Sequence, residues 1–310
     1  MLIENASADD VPSKLRPLIE PFKAAAFSVA PEREDELVQL REKHGIGIYL
    51  KADAEDWLFQ EFRMGKRIFV GLRTLERLWA YCYGYNTILT ELQTAGPEGF
   101  SAIRNPEEYQ LAFHVLKWAS QKTLADKEGP WPPFLPEPSM TAELKHVETA
   151  NHLFVAMSGR LILHELAHAI LNHNTAPETP AEVLKAEELE ADAWADDWIF
   201  SKWESYKSDD KVFIRRGLGI AFAHAPTLIL GLNAKTSSDS HPSPIERILH
   251  FVDRHLPGGN PHDKRRIDFP AVFLVGIASH LVFTTGTEPP VHPIPTSYHE
   301  WLLRFAPFFP

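Results

Sequence analysis

A chain of 310 residues with 44% hydrophobic content is long enough to bury a sizeable core. Its 42 acidic and 31 basic residues leave a formal charge of −11, which excludes a broadly basic surface of the kind that binds nucleic-acid backbones. A single cysteine, Cys82, excludes an internal disulfide framework and leaves His, Asp and Glu as the side chains able to hold a metal.

The first fifteen residues lack the basic start and apolar run of a secretory signal, so a cytoplasmic location is expected. A mostly polar lead-in extends to about residue 35. "IGIYL" (46–50) and "RIFVGL" (67–72) are short, apolar and partly β-branched, which predicts strands. "TLERLWAYCYGYNTILTEL" (74–92) has helical spacing, with Leu75, Leu78, Trp79, Cys82 and Leu89 on one broad side. The next helix carries a start signal: Asn105 as cap, Pro106 in the first turn and Glu108 three residues past the cap. Within it, His114 reads as a core or surface histidine.

Five prolines within residues 129–139 forbid a helix and a central strand. This segment is taken as a boundary between a mixed α/β region, 1–130, and a helical region, 131–310, that carries the chemistry. One or two helices follow over 140–173, ending in "LILHELAHAILNH". Thr179, Pro180 and Glu182 form a second capping signature and predict a helix over about 180–204. The short connection makes the two helices neighbours. Two later apolar stretches, 217–232 and 270–283, fall short of the roughly 20 residues that span a bilayer, so no membrane span is expected.

At about 100° per residue, His168 lies about 40° from His164 and Glu165 about 100° from it. Two imidazoles on adjacent turns with a carboxylate beside them suit a zinc centre that activates water, the carboxylate taking the proton. His173 falls near 180° on the same wheel and is excluded as a partner of the pair. The following helix buries Leu184, Ala191, Ala195 and Trp198. Glu188 and Asp192 lie at the edge of that buried side, whereas Glu190, Asp196 and Asp197 fall on the wet face. Glu188 is therefore expected as third ligand, Asp192 as the partner of a ligand histidine's second nitrogen, and Glu187 as a reserve ligand. A metzincin is excluded because Leu171 and Asn174 stand where that class has glycine and a third histidine.

"HELAH" followed by "ELEAD" resembles the gluzincin pattern, and "SHPSPIERI" (240–248) resembles a segment of the HtpX and CAAX-prenyl-protease type. With "RLWAYCYGY" (77–85), the chain looks most like the Lit-type phage-exclusion peptidases. That resemblance implies a predominantly helical α+β fold with a zincin-like core and a small sheet. It also implies one zinc ion per chain held by His164, His168 and Glu188, with Glu165 as general base. A protein or peptide is the implied substrate. His241 precedes a helix opened by Ser243, Pro244 and Glu246, and is a candidate for stabilising the oxyanion. The plainer alternative is a turn, with Arg247 tied to an acid such as Asp192. His224 reads as a core histidine. Two further readings stay open: an ImmA-like regulatory peptidase answering to an activating or inhibiting protein partner, and a binding scaffold with a structural metal.

Overall fold

The fold is α+β and predominantly helical, as the sequence predicts. A computed structural model describes residues 13–51, 59–62, 66–95, 105–120, 131–140, 145–173, 178–200, 216–217, 219–220, 222–224, 241–242 and 244–255. Short helices α1 (Ile19–Lys23), α2 (Ala25–Ser28) and α3 (Glu34–His44) lead into strands β1 (Gly47–Lys51), β2 (Phe59–Phe62) and β3 (Arg67–Gly71). Then come α4 (Leu72–Ala95), α5 (Pro106–Ser120), α6 (Lys145–Leu171), α7 (Ala181–Phe200) and α8 (Pro244–His255). The apolar stretch 270–283 lies outside the described residues.

The sheet has the order β1-β3-β2, with β1 parallel to β3 and β2 antiparallel to it. Period-2 alternation decides which side is buried. Ile48, Leu50, Ile68 and Val70 turn into the core, and Tyr49 and Phe69 pair on the other face with ring centroids 5.6 Å apart. Strand β2, "FQEF", is absent from the sequence reading because four residues with a polar centre give no strand signal of their own; it exists by pairing with β3.

The capping signature at α5 forms as expected. Asn105 Nδ2 donates to Glu108 Oε2 at 2.6 Å, and the Glu108 N–H donates to Asn105 Oδ1 at 3.4 Å. At α7 it does not: the Thr179 hydroxyl makes no hydrogen bond among the described residues. There the N–H groups of Val183 and Leu184 donate to the Pro180 carbonyl instead.

Helix α6 is the central post. It packs on α4, α2 and α7 and is buried on most of its circumference. Its contact with α2 depends on Gly159, where a Cβ would come within 2.5 Å of the Ala25 carbonyl oxygen. Helix α4 braces it from the other side: Trp79 Nε1 donates to Asn151 Oδ1 at 2.8 Å, and Asn151 Nδ2 donates to the Ser139 carbonyl at 3.0 Å. The proline-rich segment is thus more than a connector. Trp131 lies 5.5 Å from Trp79, centroid to centroid, and Leu135 belongs to the same hydrophobic cluster as α4 and α6. That cluster includes residues from both sides of position 130. Helix α6 is also long and apolar enough to cross a bilayer, but 72% of its apolar stretch is buried inside the fold, as in a core helix.

Helix α8 docks on α7 through Phe251 and His255, whose rings lie 5.8 and 5.3 Å from that of Phe200. Burial pushes the His255 pKa down to about 4; Asp197 opposes the shift, while Arg254 and His250 add to it. Between that value and the ordinary one near 6.5, the unfolded chain binds the extra proton. Stability is therefore fully present above about pH 6.5 and falls as the pH drops toward 4, by up to about 3 kcal/mol. Denaturant titrations at pH 7 and pH 4.5 should show a smaller acid loss in His255→Phe than in wild type.

Candidate metal centre

Helix α6 presents His164 and His168 toward α7, and α7 presents Glu188 and Asp192 back. The apolar residues around them set this geometry. Leu163, Leu166, Ala167, Ala191 and Ala195 are buried, so the two helices meet along a close seam and the polar side chains stand at its edge. Three donors converge there. His164 Nε2 lies 3.1 Å from His168 Nε2, and Glu188 faces His164 Nε2 with Oε2 and His168 Nε2 with Oε1, each at 3.4 Å.

These separations test whether a cation fits. Zinc bonds of about 2.0–2.1 Å place donors about 3.3 Å apart at a tetrahedral centre. The His164–His168 separation is near that spacing, a Glu188 oxygen lies 3.4 Å from each nitrogen, and two imidazoles with one carboxylate are a ligand set of catalytic zinc. Glu188, not Glu187, joins the group. Glu165 is half-buried beside His164 and is not one of the converging donors.

The second nitrogen of each histidine also faces a polar group. His164 Nδ1 lies 2.9 Å from Asp192 Oδ1, the partnership expected from the sequence. Asp192 is fully buried and gripped by two arginines: Arg247 Nε at 2.5 Å, Arg247 Nη2 at 2.7 Å and Arg160 Nη2 at 2.5 Å. Burial raises the pKa of Asp192, but Arg160, Arg247 and His164 outweigh it and hold the carboxyl well below its usual range. Burial likewise opposes ionisation of Glu188, and its contacts with His164, His168 and Arg247 reverse the effect. Burial works against charge on His164, yet Asp192 and Glu188 lift its pKa to about 9.

Residues 68–263, well over half of the chain, match the family model described as Peptidase U49. The chain belongs to the Peptidase U49 family. No curated protein and no solved structure matches it. The U49 match runs from β3 through α8, so it contains both helices of the donor cluster and Arg247. It makes the chain a member of a peptidase family.

In this U49 chain the other sequence-predicted residues divide clearly. His241 stands beside the cluster, with Nε2 3.6 Å from Glu188 Oε1 and about half of its side chain exposed. Burial, Arg247 and the two nearby histidines depress its pKa against the pull of Glu188. Arg247 does what the plainer reading of the "HPSP" turn expects, tying α8 to Asp192. His224 is a buried histidine whose pKa is pushed well down by burial and by the charges of Arg160 and Arg247.

Two expectations are overturned. Asp196 is not on a wet face: it is 1% exposed, and Arg160 Nε donates to its Oδ1 at 3.2 Å. Burial lifts its pKa to about 6, with Asp192 adding repulsion and Arg160 opposing both. His173 is not remote from the pair. Helix α6 ends at Leu171, Asn172 takes a left-handed φ of 56°, and the chain turns back. His173 Nδ1 thereby comes within 2.8 Å of His168 Nδ1.

Arg160 is a contributor that the sequence reading did not single out. Its signal was present: an arginine four residues before His164, inside an otherwise apolar helix, requires a buried acid to face it. A second grouping of possible metal ligands, Glu91, Glu108 and His146, also exists. Its carboxylates already accept from Asn105, Glu91 from the backbone N–H and Glu108 from the side-chain amide.

Proposed function

We propose that the protein is a gluzincin-type zinc-dependent endopeptidase that cuts a protein substrate, with His164, His168 and Glu188 as ligands and Glu165 as general base. The observation that carries this reading is the convergence of two imidazole nitrogens, 3.1 Å apart, with a Glu188 oxygen 3.4 Å from each. Family membership supplies the reaction class. Bound zinc would supply Lewis acidity toward the scissile carbonyl and toward water.

The chain's own residues do the rest. Glu165, next to His164 in the chain, takes the proton of the attacking water and returns it to the leaving amine. His241 donates to the developing oxyanion, a role supported by its half-exposed ring beside Glu188. Asp192 holds His164 with its metal-facing nitrogen unprotonated. The Lit-type resemblance of the "RLWAYCYGY" helix extends the proposal to a cytoplasmic role in phage exclusion.

Elemental analysis of purified protein tests the core of this. Wild type should carry one zinc per chain, and Glu188→Ala should retain less than about a tenth of it under the same dialysis. Wild-type protein that takes up no metal, even when zinc is added back, would defeat the reading.

A further inference from the structure

Metal holding explains one nitrogen of each ligand histidine, and Asp192 explains the other nitrogen of His164. The surroundings of His168 differ. Its Nδ1 faces a second imidazole, His173 Nδ1, at 2.8 Å. His173 is 4% exposed, its backbone N–H donates to the His168 carbonyl at 3.2 Å, and its Nε2 lies 3.3 Å from Glu190 Oε2. The two rings meet edge to face with centroids 4.9 Å apart.

We infer that His173 is a positioning residue that locks His168 into the tautomer able to hold a metal. The inference rests on the metal-holding reading above. Proton placement follows from hydrogen-bond counting. When His168 holds a metal at Nε2, beside His164 and Glu188, that nitrogen offers its lone pair and the ring carries its proton on Nδ1. Two bare nitrogens at 2.8 Å would repel, so that proton lies between the rings and His173 accepts it at Nδ1. Neutral His173 then carries its own proton on Nε2, where the Glu190 carboxylate accepts it. Every donor in the chain meets an acceptor.

The left-handed turn at Asn172 is what makes the relay possible. It brings a residue five positions along the chain onto a ring that a continuing helix would have carried it away from. The two ligand histidines are therefore held unequally. His164 leans on a buried carboxylate clamped by arginines, whereas His168 leans on an imidazole backed by a carboxylate with 63% of its side chain exposed.

The test measures zinc affinity by chelator competition in wild type, His173→Leu and His173→Asn. Leucine fills the space without an acceptor, whereas the asparagine oxygen can stand where Nδ1 stands. His173→Leu should weaken zinc binding by about 10–100-fold, and His173→Asn should recover most of the loss. Nitrogen NMR of ¹⁵N-histidine-labelled, zinc-loaded wild type should place the proton on Nδ1 of His168 and on Nε2 of His173. A leucine variant that binds zinc as tightly as a zinc-binding wild type overturns this inference and leaves the metal reading standing. A His173 protonated on Nδ1 overturns it even if the leucine variant does not fold. A wild type that binds no zinc at all defeats the metal reading, and this inference with it.

Discussion

Glu165→Gln is expected to keep one zinc per chain and to slow peptide cleavage by about 10²–10⁴-fold, the range that a positioned general base contributes. The separation of the two effects follows from the geometry. The donors that converge are His164, His168 and Glu188, and the Glu165 carboxylate is not among them. Glutamine keeps the shape and the hydrogen-bonding oxygen of glutamate and loses only the basicity. Helix α6 should therefore be undisturbed, and His164 and His168 should stay in register. The comparison needs zinc content and cleavage rate on the same preparation, with any protein that the wild type cuts as substrate. Equal rates in the two proteins would remove Glu165 from the chemistry. Loss of zinc from the glutamine variant would make Glu165 a ligand and displace it as the base.

Why this site was legible in the sequence, and where legibility ended, has a geometric explanation. His164 and His168 were readable because both lie inside one uninterrupted helix, where 100° per residue holds. Glu188 was readable because Ala191, Ala195 and Trp198 marked the buried side of α7 without contradiction. The same rule failed for His173, since it was extended past the point where the helix stops. Asn172, which adopts the left-handed φ, is a residue type that tolerates such a turn and signalled the stop. It failed again for Asp196, for a different reason. A helical wheel scores polarity on one helix, whereas the burial of Asp196 is decided by Arg160 reaching across from α6. Long-range pairing also explains β2 and the proline-rich segment. Neither carries a local signal strong enough to fix its place; β3 and the Trp79–Trp131 contact supply it.

Arg160→Met should cost about 3–5 kcal/mol of stability, the range seen when one member of a buried ion pair is removed. Arg160 is 1% exposed and serves two carboxylates that are equally buried, Asp192 at 2.5 Å and Asp196 at 3.2 Å. Their losses differ. Asp192 keeps Arg247 and His164, whereas among the described residues Asp196 has no other cation at salt-bridge distance. With Arg160 gone, the pKa of Asp196 should rise further above its present value near 6. A raised carboxyl pKa favours the folded state below the unfolded pKa of about 3.9 and loses that contribution as the pH climbs through the folded value. The deficit of Arg160→Met should therefore be smallest in acid and largest at neutral pH. Adding Asp196→Asn should recover a large part of it, because the amide needs no counter-charge. A single variant costing under about 1 kcal/mol at pH 7, in the range of an exposed ion pair, would show that this buried quartet does not hold Asp192 in place. In that case the stiffness of His164 would have to come from Arg247 and the packing of α6 on α7 alone.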